Sequence, residues 1–165
     1  KMVAGALAPD AGEVEYGVHV TKTYYAQHQL EELNSGNTVF EELDRVAPGW
    51  TIAQVRSLLG AFLFKGDDVD KKVSVLSGGE KTRLALATLV TSRANVLLLD
   101  EPTNNLDPAS RQEILKAIAK YEGAIVLVTH DEGAVEALRP ERVLLMPDGD
   151  EDLWNDSYLE LVAEE

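Results

Sequence analysis

Leu76-Ser77-Gly78-Gly79-Glu80, and about one helix further on Val96-Leu97-Leu98-Leu99-Asp100-Glu101-Pro102, are the stretches that decide the fold of this 165-residue chain. In the first, a serine and a glycine pair precede Lys81-Thr82-Arg83-Leu84-Ala85-Leu86-Ala87, so a tight turn opens a helix. Ser77-x-x-Glu80 is in itself a capping box, in which a hydroxyl and a carboxylate each accept a backbone N–H that the helix leaves unpaired. The two glycines also let backbone N–H groups approach an anion at the helix N-terminus. In the second stretch four apolar residues form a buried strand ending in two adjacent carboxylates. Open α/β sheets place their ligands at that end of a strand, and a desolvated charge there needs a partner or a metal. Mg²⁺ answers that need, because it is held by one or two carboxylates together with phosphate oxygens and water. The other carboxylate can then polarise an attacking water as a general base.

Outward from these stretches the pattern alternates. Asp107-Pro108 starts a helix, with an N-cap and a proline in the first turn. Ala124 to Thr129 is a second apolar strand, suited to burial on both faces of a parallel sheet. His130 ends it, either as a surface or capping residue or as a ligand-facing one. Asp131 to Leu138 reads as a helix and Val143 to Met146 as a last strand, which together predict an α/β domain with a parallel sheet. The acidic run Asp148 to Asp152 reads as a solvated turn before a short helix, Trp154 to Ala163.

On the N-terminal side, residues 1–7 read as the tail of a helix, and Glu13 to Tyr16 and Val18 to Tyr25 alternate as half-buried strands do. Gln27, in Tyr24-Tyr25-Ala26-Gln27-His28-Gln29, is a polar residue at the end of that strand. Thr38-Val39-Phe40-Glu41 and Thr51-Ile52-Ala53-Gln54 are two more capping boxes, each followed by apolar residues at helical spacing. They predict a small helical insert over about 38–75, which the helix after Ser77 extends to a helical subdomain of about 38–93.

Composition sets limits. An apolar share of 45% and an aromatic share of 6% suit a globular domain with its own core. No apolar run approaches the ~18 residues of a membrane helix, and the N-terminus has no signal-peptide pattern, so a cytoplasmic protein is expected. The absence of cysteine excludes disulfides and thiolate metal sites. The net charge of −14 opposes a broad contact with phosphate backbones, so direct nucleic-acid binding by this segment is not expected.

Taken with what surrounds them, these motifs resemble an ATP-binding cassette (ABC) ATPase over essentially residues 1–163. Asp100-Glu101-Pro102-Thr103-Asn104-Asn105-Leu106-Asp107 is similar to the Walker B motif running into the D-loop, in the form found in ABC-F proteins, with Asn105 where histidine is commoner. Leu76 to Ala87 resembles the signature motif. The resemblance implies an incomplete P-loop NTPase-type parallel sheet with a small α-helical subdomain, and ATP and Mg²⁺ as ligands. It implies Asp100 on the metal, Glu101 as catalytic base and His130 as the switch histidine. Gln27 would be the Q-loop residue near the metal. Ser77, Gly78, Gly79, Glu80 and Asp107 would serve nucleotide binding, the signature acting on a nucleotide held by a second cassette. ABC-F proteins carry two cassettes on one chain, lack membrane domains and act on the ribosome in translation or antibiotic resistance. An ATPase subunit of a membrane transporter and a non-catalytic scaffold are the alternatives. No G-x-x-x-x-G-K-[ST] phosphate loop (Walker A) occurs, and not even a Gly-Lys dipeptide. The expectation is therefore a cassette that begins just after that loop, inactive by itself, with the apolar faces of its strands less protected than in a whole cassette.

Overall fold

The computed structural model describes residues 1–162, apart from the side chains of residues 27–29. Three strands carry the site. β1 (Lys22–Tyr25), β2 (Val96–Asp100) and β3 (Ala124–Val128) lie side by side in that order, all parallel. Tyr25 pairs with Leu99, Leu99 with Leu127, and Asp100 with Val128. This is the parallel α/β sheet that the alternation predicts.

Side-chain alternation gives the sheet two faces. Tyr25, Leu97 and Leu99 join the main apolar core, with Ile125 and Leu127 packed against it. That core is completed by α1 (Val39–Asp44), α2 (Ile52–Ala61), α3 (Gly78–Thr91) and α4 (Pro108–Ile118), which supply Leu43, Leu59, Leu84 and Ile114. The other face carries Tyr24, Leu98, Asp100, Val126 and Val128. There Val126 is 48% and Val128 55% exposed. The expected burial of β3 on both faces is thus corrected: only its Ile125 and Leu127 side packs against the core, and its other face is exposed. Of the two strands expected to have less protected apolar faces, β3 shows the exposure at Val126 and Val128, whereas Leu97, Leu98 and Leu99 of β2 are buried.

Each helix start in the helical region follows local rules. Thr38 with Glu41, Thr51 with Gln54, and Ser77 with Glu80 form complete capping boxes. On α1 itself, the fully buried Glu42 accepts from Asn37 Nδ2 at 2.9 Å and Arg45 Nη2 at 2.6 Å, so its charge is paired as burial requires. Arg83 of α3 ties the signature helix to the end of α2. Its Nη1 donates to the carbonyls of Phe62 (3.2 Å) and Leu63 (3.1 Å), and its guanidinium lies 4.8 Å from the Phe64 ring centre.

Four other expectations need correction. Residues 1–7 form turns rather than a helix, with bonds such as Gly5 N–H to Met2 O. Glu13 to Tyr16 is exposed and unpaired as a strand, and β1 begins at Lys22 rather than Val18, because alternation without a neighbouring strand has no ladder to join. The last strand, β4 (Arg142–Leu145), pairs antiparallel with β5 (Asp150–Leu153) and forms a separate hairpin instead of extending the parallel sheet. The acidic run is therefore partly strand, and Arg142 Nε meets Glu151 Oε1 across it at 2.7 Å. After α5 (Glu132–Leu138), the predicted C-terminal helix is a 3-10 turn, Asp156–Tyr158, followed by α6 (Leu159–Val162). Ala163 lies outside the described residues.

Candidate functional site

Asp100 is the last residue of β2, and Glu101 continues one step past it. The Glu101 N–H donates to Val128 O at 2.9 Å, so the ladder persists while the chain turns away at φ +46°. That left-handed conformation is uncommon for a residue with a side chain and marks a position where function is worth seeking. It holds the Glu101 carboxyl at 23% exposure. Its Oε1 is buried and makes no hydrogen bond. His130 Nε2 stands 3.5 Å from that oxygen. Burial raises the Glu101 pKa above the ordinary value of 4.5, and the His130 imidazole acts against the shift.

The neighbouring Asp100 is held differently. Tyr24, on the same face of β1, donates its phenol to Asp100 Oδ2 at 3.1 Å. The Tyr24 pKa is raised, by burial first and then by this carboxylate. The two adjacent carboxylates thus have distinct surroundings: Asp100 holds the Tyr24 phenol, while Glu101, hydrogen-bonded to the His130 backbone and Thr129, keeps one buried oxygen unbonded.

The same pair can be tested as a metal site. Among the described residues no group of three or more His, Asp or Glu is arranged to hold a metal unaided. Two adjacent carboxylates with a free buried oxygen suit a cation that takes its other ligands from phosphate and water, which is how Mg²⁺ binds. The donor set therefore fits Mg²⁺.

At the opposite end of α3, Ser77 Oγ accepts the Glu80 N–H at 3.2 Å, and Glu80 Oε2 accepts the Ser77 N–H at 2.8 Å. That second bond is the main reason the Glu80 pKa is lowered. Capping accounts for Ser77 and Glu80 locally, while Gly78 is exposed with open space where a Cβ would project. Gly79 differs: a Cβ there would lie 3.2 Å from Asn105 O, so the turn packs closely on the loop after Glu101. In that loop Asp107 accepts the Ser110 N–H at 3.0 Å as the N-cap of α4, and hydrogen bonds from Ser110, the side chain first and then this backbone N–H, lower its pKa. Gln27 opens a 3-10 turn, Gln27–Glu32, directly after β1, and its side chain lies outside the described residues.

Three contributors are absent from the sequence reading. Tyr24 was discoverable by parity, since the period of two sets it on the face of Leu98 and Asp100 once β1 and β2 are paired. Thr103 and Arg111 have no such signal. Both reach Asp131, the residue after His130: Thr103 Oγ1 donates to Asp131 Oδ2 at 3.2 Å, and Arg111 Nη1 lies 3.5 Å from the same oxygen.

Known proteins share sequence and fold with this chain. The sequence model described as "ABC transporter" matches residues 1–104. "Probable ATP-binding protein YheS" of Haemophilus influenzae is 46% identical over 131 residues, covering 79% of this chain and 20% of the relative. "ABC transporter F family member 5" of Arabidopsis thaliana is 39% identical over 150 residues, covering 90% of this chain and 22% of the relative. The chain thus spans about a fifth of the length of these curated relatives. Among solved structures, the ATP-binding cassette MJ0796, a dimer in a post-hydrolysis state bound to ADP and Pi, superimposes with a TM-score of 0.63. It is 22% identical, over 81% of this chain and 63% of that one, and shares the fold. The sheet, the carboxylate pair at the end of β2 and these matches lead to one assignment: the chain belongs to the ABC transporter family of ATPase cassettes, with its relatives on the F branch.

Proposed function

We propose that this chain works within a two-cassette ABC-F ATPase, cleaving ATP and water to ADP and phosphate. Glu101 is the base: its half-buried carboxylate, with one oxygen unbonded and the backbone turned to present it, is the observation that carries the reading. It orients an attacking water and takes its proton. His130, beside that oxygen, donates to the phosphoryl group being transferred. Asp100, fixed by Tyr24, is the carboxylate for a metal, and Gln27 the further polar residue on that side. Bound Mg²⁺ would offset charge on the phosphate oxygens. The exposed turn at Ser77, Gly78 and Gly79 serves a nucleotide held by a second cassette, with Asp107 and Glu80 shaping the two surfaces. The dimeric state of MJ0796 with ADP and Pi supports this pairing.

The resemblance to ABC-F proteins, with relatives on the F branch, supports action on the ribosome, in the cytoplasm, over a transporter subunit. Among the described residues no helix is long and apolar enough to cross a membrane. In the full-length protein, Glu101→Gln is expected to bind ATP yet lose on the order of 10²-fold or more in turnover. Asp100→Asn should weaken Mg²⁺-dependent nucleotide binding as well. With ATP, Glu101→Gln protein should accumulate on sedimented ribosomes. Normal turnover in Glu101→Gln would remove it as the base; an ATP-trapped dimer that ignores ribosomes would favour the transporter subunit.

A further inference from the structure

Arg111 projects from the first turn of α4 into the gap between two loops. One follows Glu101, and the other joins β3 to α5 and carries His130. Its Nη2 donates to Leu106 O at 3.3 Å in the first loop, and its Nη1 lies 3.5 Å from Asp131 Oδ2 in the second. Thr103 of the first loop donates to that same oxygen at 3.2 Å, and Thr103 is 1% exposed. The remaining Asp131 oxygen, Oδ1, accepts the Gly133 N–H at 3.0 Å, and the Asp131 N–H donates to Thr129 Oγ1 at 3.0 Å. Asp131 is therefore held on every side, and it directly follows His130. The Arg111 Nε is buried without a hydrogen bond, so the side chain is held at this point despite a polar atom left unsatisfied.

We propose that Arg111 is a positioning residue, clamping the two loops together so that His130 stays within reach of Glu101. The inference rests on the proposed ATPase reading and adds a component to it. Without the clamp, Leu106 and Asp131 lose their common partner, and the 3.5 Å separation of His130 Nε2 and Glu101 Oε1 is no longer fixed. A planar guanidinium offers a carbonyl and a carboxylate donors in a fixed fork, a geometry that the flexible, rotatable ammonium of lysine does not pre-organise.

The test is a double-mutant cycle on turnover of the full-length protein. Arg111→Gln should lower kcat roughly tenfold while the KM for ATP stays within about twofold, as for a group acting only on the geometry of reaction. Added to His130→Ala, it should cost less than about twofold more, since the group it positions is gone. Should Arg111→Gln fail to fold, Thr103→Val removes the second hold on Asp131 and should show the same non-additivity, with Thr103→Ser restoring wild-type kcat. Equal fold-losses in the wild-type and His130→Ala backgrounds, or no loss in either, would overturn the clamp and leave the ATPase reading intact. Undiminished turnover in Glu101→Gln, run alongside, would overturn both.

Discussion

Replacing Arg83 by methionine keeps an aliphatic stem in place and removes the guanidinium that ties α3 to the end of α2. The two carbonyls it serves, Phe62 O and Leu63 O, share one nitrogen, so together they count as about one charge-assisted hydrogen bond, ~1.5–3 kcal/mol. The Phe64 ring adds about 0.5–1 kcal/mol. The sum, about 2–4 kcal/mol, falls on one place: the α2 terminus, where Leu63 sits at φ +69°. Hydrogen–deuterium exchange over residues 58–66 reads that place directly. At a factor of ten per 1.4 kcal/mol, local opening should become roughly 30- to 700-fold more frequent in Arg83→Met. Arg83→Lys, which keeps the charge without the fork, should recover part of the protection. Exchange within about threefold of wild type over 58–66 would mean these contacts contribute little, and the reasoning would fail.

Tyr24→Phe removes the hydrogen bond on Asp100 Oδ2, so the Mg²⁺ concentration that supports half-maximal nucleotide binding should rise roughly 10- to 100-fold, the worth of one hydrogen bond to a charged group. A fluorescent nucleotide titrated at several Mg²⁺ levels checks it, and an unchanged midpoint would show the phenol has no bearing on the metal site. Because burial raises the Glu101 pKa, the acid limb of kcat/KM should lie above pH 4.5, with turnover rising as pH climbs through the raised value and the base ionises. The stability linked to this group runs the other way: it is full below the ordinary glutamate range and is lost as pH rises through the raised pKa. His130→Ala, which takes away the group opposing the shift, should move the limb higher still; a limb at or below pH 4.5 would contradict the account.

What could be read in advance was what depends on near neighbours. The boxes at Thr38, Thr51 and Ser77 are complete within three residues, and each starts a helix where expected. The run Val96 to Leu99 is apolar on both faces and could only be a strand, and Asp100 and Glu101 follow it covalently. Strand pairing is a different matter. Glu13 to Tyr16 alternates convincingly yet pairs with no strand among the described residues, whereas Asp150–Leu153, exposed throughout, becomes a strand because β4 lies beside it. The site divides the same way. His130 is near Glu101 only because Val128 pairs with Asp100, and Arg111 reaches Asp131 only because α4 crosses back between β2 and β3. Those placements belong to register and crossover, which no short stretch encodes.

The backbone at Glu101 has an evolutionary consequence. A left-handed residue is held at least cost by glycine, and a carboxylate with an unbonded buried oxygen is better removed than kept if folding is the only criterion. Stability and chemistry therefore pull this position in opposite directions. A library of variants screened for soluble expression alone would drift away from glutamate here, while one screened for turnover would retain it. On the proposed role of Glu101, position 101 is where selection for catalysis and selection for a folded chain would favour different residues.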